Sequence, residues 1–141
     1  MSCELENNSR KLIERYYSAF NRGDWAGMLE LLDDRVAHDP AQGEREIGRD
    51  RFQAFLQARA RCYLEVLTDV HILIGKDGSR AAAEYVVSGQ YLTTEPGMPL
   101  ARGQRYRLSG GAFFAIADGR ITRISHCCNL ADWVAQLSQD G

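Results

Sequence analysis

The apolar positions of the chain follow two rhythms, a helical one in the first half and an alternating one in the second. Over residues 9–22, "SRKLIERYYSAFNR", Leu12, Ile13, Tyr16, Tyr17 and Phe20 fall on one face of an α-helix. Ser9 is placed to cap its start. The pair Gly23 and Asp24 predicts a break, with Asp24 capping a second helix that carries Trp25, Met28, Leu29, Leu31 and Leu32. The run "DDR" ends that helix, and residues 36–38 predict a short strand. A polar loop follows over residues 40–46. Gly48, Arg49 and Asp50 then lead into a third helix, with Phe52, Phe55, Leu56 and Ala60 on one side.

From residue 63 the period changes to two. "YLEVLTDVHILIG" alternates Val66, Val70, Ile72 and Ile74, and "KDG" predicts a hairpin turn into "SRAAAEYVVSGQYLTT". A long loop, "EPGMPLARGQ", separates this hairpin from two further strands, "RYRLSGGAFFAIA" and "RITRISHCCNL". Asp118-Gly119 between them is a type I′ turn signal. The segment "LADWVAQLS" predicts a closing helix. Helices first and hairpin-linked strands afterwards predict an α+β fold, with three N-terminal helices packed on one face of a curved, mostly antiparallel sheet. There is no internal repeat and no linker, so residues 1–141 read as one domain.

Composition narrows the classes. The chain has 141 residues, 45% of them hydrophobic and 26% charged, as in an ordinary globular domain. A net charge of −2, with scattered basic residues, argues against a nucleic-acid partner. The polar N-terminus has no signal-like apolar core, and no apolar run reaches membrane-spanning length, so a cytoplasmic protein with no membrane partner is expected. Cys3, Cys62, Cys127 and Cys128 form no C-x-x-C pair and no zinc spacing with His38, His71 or His126. They read as free thiols, and no metal site is expected.

The element order, together with "YYSAFNRGDW", "HDPAQG" and "GRDRFQAFL", resembles the nuclear-transport-factor-2-like cone. Within it the chain is similar to the SnoaL-like and steroid delta-isomerase-related branch. The segments "AAAEYVVSGQYLTTEPGMPLARGQRY" and "GAFFAIADGRITRISHCCNLADW" extend the resemblance to nearly the whole length. It implies a cone-shaped fold with one buried pocket on the concave side of the sheet, no organic cofactor or metal, and a homodimer. This fold hosts isomerases, dehydratases, cyclases, epoxide hydrolases and members without chemistry, so the fold alone does not choose among them.

Asp39, followed by Pro40 at the end of the first strand, matches the local context of the general base of ketosteroid isomerases. It also reads as a turn acceptor. Tyr16 lies where the resemblance places a phenol that donates to the enolate oxygen, and it reads equally as a core aromatic, with Tyr17 as the alternative. The second carboxyl of ketosteroid isomerase, itself a standard illustration of a carboxylic acid kept protonated, falls on or beside Gly111, where there is no side chain. A two-residue turn at Asp118-Gly119 would pair Gly111 with His126 and leave room for the ring. His126 is then a donor to substrate, a partner of Asp39, or a strand histidine satisfied by backbone.

His38 and Asp39 point to opposite faces of a strand, so His38 reads as a loop anchor or a substrate contact. Gln42 is expected at the pocket rim. Glu84 interrupts an apolar strand and is either ion-paired or a second acid/base group. Trp25, Phe55, Tyr63, Tyr91 and Phe113 are candidates for an apolar lining, with Phe52 beside them. The sequence thus predicts a ketosteroid-isomerase-like enzyme that moves a proton on a hydrophobic carbonyl compound, with Asp39, Tyr16 and His126 as its machinery. A small-ligand-binding protein without chemistry is the alternative.

Overall fold

A computed structural model describes residues 2–139. Helix α1 (Ser2–Arg22) is followed by the five-residue α2 (Trp25–Leu29), strand β1 (Leu32–Asp39), the two-residue β2 (Glu46–Ile47) and α3 (Arg49–Cys62). Then come β3 (Tyr63–Ile74), β4 (Arg80–Tyr91), β5 (Arg105–Ala117), β6 (Arg120–Cys128) and α4 (Leu130–Leu137). The expected three N-terminal helices are therefore one long helix, one short one, and a third set apart by β1 and β2. Ser9 is not a cap. It sits inside α1 and donates to the carbonyl of Gly78 at 2.6 Å, tying the helix to the β3–β4 turn. Asp24 does cap α2, accepting from the Gly27 amide at 2.9 Å.

The six strands form one open sheet in the order β2-β1-β6-β5-β4-β3. All neighbours are antiparallel except β1 and β6, which run parallel. β1 is longer than its sequence pattern predicts because "DDR" is carried in the strand, with a register shift between Leu32 and Ala37. β3 also has an irregularity between Thr68 and His71, where Asp69 takes a left-handed backbone conformation, φ 52°. The β5–β6 turn has φ 52° at Asp118 and 73° at Gly119, the positive pair that a type I′ hairpin requires.

Two apolar clusters hold the helices to the sheet. The larger joins Ile13, Tyr16 and Tyr17 of α1, Met28 of α2 and Phe52 and Leu56 of α3 to the inward side chains of the sheet, among them Phe114, Ile121 and Ile124. The smaller is aromatic: Tyr63, Tyr91 and Tyr106 surround Trp133 and Leu137 of α4. α4 is held to the edge of β5 as well, because the Gln136 side chain accepts from the Arg107 amide and donates to its carbonyl. Between the two clusters the packing is incomplete, and a cavity remains.

Candidate active site

The cavity has a volume of about 680 Å³, room for a small organic molecule. Its walls come from α1, α3, the inner face of the sheet, the loop after β4 and α4. Of the residues expected there, Tyr16, Trp25, Gln42, Phe55, Tyr63 and His126 line it. The helical spacing of the first three helices explains why their aromatics arrive together, since each contributes one apolar stripe to the same interior.

His126 reaches the cavity through a slip in strand phase. Ile116 pairs with Ile121 and Ala115 with Arg123, so Thr122 is an extra residue in β6. If Thr122 took a regular place in the ladder, inward positions would run 121, 123 and 125. With Thr122 as the extra residue, Ile121, Ile124 and His126 share the inner face, and Ile121 and Ile124 are fully buried. The expected pairing of Gly111 with His126 is thus off by one. Ala112 stands opposite His126, while Gly111 pairs with Cys127 and Gly110 with Cys128. The glycines serve other needs: a Cβ on Gly110 would press on the Tyr85 ring at 2.9 Å, and one on Gly111 would meet the Ala83 carbonyl oxygen at 2.9 Å.

Behind His126 lies His38, 1% exposed, with its Nε2 2.9 Å from His126 Nδ1. The rings of Phe52 and Phe55 contact His38 edge-on, with centroids 4.9 and 4.4 Å away. Burial drives the pKa of His126 down to about 3, with the charges of His38 and Arg59 acting in the same direction. Burial likewise lowers His38 to about 4, against the opposing pull of Glu46 and Asp39. Both rings are neutral at physiological pH, so each carries one N–H. His38 Nδ1 is sealed from solvent without a partner among the described residues. A buried N–H left unpartnered costs more than a bare ring nitrogen, so the favoured tautomer has His38 Nε2–H donating to His126 Nδ1. His126 then holds its own proton on Nε2, the nitrogen left free to donate.

The second polar group is Arg59, on the same stripe of α3 as Phe52, Phe55 and Leu56. Its Nη2 donates to both carboxylate oxygens of Glu65 at 3.0 and 3.1 Å. The guanidinium carbon lies 4.5 Å from the centre of the Tyr63 ring and 4.9 Å from that of Trp133. Tyr106 donates its hydroxyl to Glu65 at 2.5 Å, and Tyr63 donates to Glu95 of the loop after β4. Burial works against the Arg59 charge, but the carboxylates and Tyr106 outweigh it, and its pKa lies above the ordinary value. Burial first, then the adjoining carboxylates, holds the pKa of Tyr63 and of Tyr106 well above that of a free phenol, so both remain donors. Arg59, Glu65 and Glu95 were not singled out by sequence reasoning. An arginine in step with an apolar helical stripe was the signal for the first.

Tyr16 and Tyr17 both line the cavity, and their rings meet edge to face at 5.1 Å. Burial raises the pKa of each far above the usual phenol range, with Tyr85 adding to the effect. The Tyr17 hydroxyl is buried and has no hydrogen-bond partner among the described residues.

Several expected residues lie elsewhere. Asp39 is not in the cavity wall. It projects from the other face of β1, accepting from Arg45 at 2.6 and 2.9 Å and from the Ser125 hydroxyl at 2.6 Å. Those hydrogen bonds, Arg45 first and Ser125 next, hold its carboxyl well below the usual range, which makes it a poor base. His38, expected to anchor a loop or touch substrate, is instead buried under His126 and does not line the cavity. Tyr91 is fully buried and stacked on Tyr63 in the smaller cluster. Phe113 points outward, 51% exposed, because Ala112 and Phe114 take the inner face. Glu84 is exposed on β4, paired with His71 and Gly111, away from the cavity.

Comparison with known proteins places the chain in a family. Residues 13–124 match the SnoaL-like domain family. A proposed polyketide cyclase from Xanthomonas campestris pv. campestris is 49% identical, over 95% of this chain and 99% of its own, with a TM-score of 0.92. Another from Pseudomonas putida is 48% identical, over 92% and 98% of the two chains, with a TM-score of 0.91. An epoxide hydrolase of the LEH-like type from M. tuberculosis shares the fold at 18% identity, over 94% and 90%, with a TM-score of 0.72. Among curated proteins there is no match.

Proposed function

Because the chain belongs to the SnoaL-like domain family, we propose that it is a small enzyme that removes and returns a proton on a hydrophobic carbonyl compound, closing the compound into a ring. The observation that carries this reading is the His38–His126 pair at the wall of an aromatic cavity. It supplies a fixed, neutral donor for a carbonyl oxygen. A donor aimed at an oxygen that becomes negative lowers the barrier to enolisation more than it stabilises the ground state.

With the carbonyl oxygen on His126 Nε2–H, the neighbouring C–H is acidified. Its proton passes to Glu95, the less encumbered of the two carboxylates lining the cavity, and its electron pair becomes the enolate. The enolate carbon bonds to a second carbonyl carbon of the same molecule. The oxygen of that carbonyl takes the proton from Glu95, so nothing is oxidised or reduced and nothing leaves. Tyr16, which stays protonated and whose hydroxyl is not sealed off, is a further donor at the same wall. The description of the Xanthomonas and Pseudomonas relatives as proposed polyketide cyclases favours ring closure over double-bond migration.

The test is exchange of α-hydrogens for deuterium, followed by NMR in D₂O, on a panel of a 5-en-3-one steroid, 2-tetralone, 2-acetylnaphthalene and linear diketones. The wild-type protein is expected to accelerate exchange on at least one of these. His126→Phe should lose roughly 100-fold or more of that acceleration, the scale of removing an oxyanion donor. Asp39→Asn should stay within about twofold. If wild type exchanges none of them, the enzyme reading falls, and a ligand-binding protein of the same fold takes its place.

A further inference from the structure

The polar side chains of the cavity wall are not exhausted by His126 and Glu95. Arg59 engages Glu65 through Nη2 alone. Its Nη1 and Nε make no hydrogen bond among the described residues, and neither is sealed from the cavity it lines. The guanidinium is held rigidly, by Glu65 on one side and by contact with Tyr63 and Trp133 on another. A fixed planar cation with unused donors at the wall of an aromatic space is a binding group for oxygen.

The surroundings decide which oxygen. Glu65 already neutralises Arg59, and its position is fixed by Tyr106, whose hydroxyl donates to it at 2.5 Å. Glu95 adds a second carboxylate at the same wall. Taken with Arg59, the three groups sum to one negative charge, so a ligand carboxylate placed there would add like charge in a poorly solvated site. A neutral carbonyl oxygen incurs no such penalty and still accepts from Arg59.

We infer that Arg59 forms a second oxygen-binding subsite, and that Glu65 sets its preference for an uncharged ketone or ester oxygen over a carboxylate. Arg59 is a substrate-positioning residue and Glu65 a specificity-determining one. With the His126 donor, the two subsites select a compound with two carbonyl groups on one hydrophobic frame. This extends the reading of the cavity as a carbonyl-compound site, but its test is binding and not turnover.

The experiment compares 2-acetylnaphthalene with 2-naphthoate, a neutral and an anionic oxygen ligand on one ring system, by calorimetric titration of the full chain. Wild type is expected to bind the ketone at least about tenfold more tightly. Glu65→Gln should reverse the order, since Arg59 then meets the carboxylate with one counter-charge fewer. Arg59→Met/Glu65→Gln, which leaves no buried charge unpaired, should abolish the preference and weaken ketone binding by about tenfold. The double variant carries the test if Glu65→Gln alone does not fold. The inference is overturned if wild type prefers the acid, if the double variant binds the ketone as wild type does, or if neither compound binds at roughly millimolar concentration. A retained preference without α-hydrogen exchange sinks the proton-transfer reading alone, and exchange without preference sinks this one alone.

Discussion

Tyr106 lies across Gly89, its partner in the β4–β5 register, and reaches Glu65 with its hydroxyl. A Cβ on Gly89 would come within 2.2 Å of the Tyr106 ring, so the glycine is needed for space and not for an unusual backbone angle. Gly89→Ala is expected to destabilise the protein by about 1–3 kcal/mol, the usual cost of overpacking, measured by urea unfolding. It should also disturb the preference at Arg59, because Glu65 loses its clamp. At this scale the sequence is legible where one periodicity governs. Tyr16, Trp25 and Phe55 reach the cavity from their helical stripes. Asp39 shows the limit. Strand alternation places it opposite His38, but which of the two faces inward is decided by Val36, which shares the parity of His38 and is fully buried. The aspartate beside a proline drew attention to the wrong member of the pair.

The phase slip in β6 is the element on which the proposed chemistry depends. Ile121 and Ile124 are three residues apart, which a regular strand cannot place on one face, and Thr122 absorbs the difference. The irregularity was therefore written in the apolar spacing of "RITRISH", and an ideal two-residue hairpin extended past it gave the wrong partner for His126. Inserting one alanine between Arg123 and Ile124 shifts the phase by one residue and turns Ile124 and His126 to the outer face. The expected cost is on the order of 3 kcal/mol or more, with loss of ligand binding, measured by thermal unfolding and titration. The parallel pairing of β1 with β6 was not legible in the sequence. It joins segments far apart in the chain, and no local pattern records such a contact. The four long antiparallel strands and their turns were legible, because alternation and turn residues are local.

For the molecule as a whole, the two buried histidines set the response to acid. Their folded pKa values, about 4 for His38 and about 3 for His126, lie below the ordinary histidine value of about 6.5. Between those values the unfolded chain binds more protons, so stability is complete above about pH 6.5 and falls as the pH drops toward 4. Asp39, whose carboxyl is held low, contributes above its ordinary value and loses that contribution only in stronger acid. Moving from about pH 7.5 to about pH 5 should therefore cost the wild type a few kcal/mol of unfolding free energy, nearly all of it from the histidines. In urea titrations the double variant His38→Gln/His126→Gln should lose much less over the same interval. An equal loss in both proteins would contradict the assignment. No helix among the described residues is long and apolar enough to cross a membrane. The sheet itself ends on one side at β3, where Leu64, Val66 and Leu73 are exposed and no further strand among the described residues covers the backbone. Such an edge invites a neighbouring chain to zip onto it, and the fibrous stacking that follows is a common fate of concentrated protein. The left-handed bend at Asp69 divides that edge into two short runs at an angle to each other. An incoming strand can pair with one run only before it diverges, so the irregularity at Asp69 limits growth of the sheet into fibres.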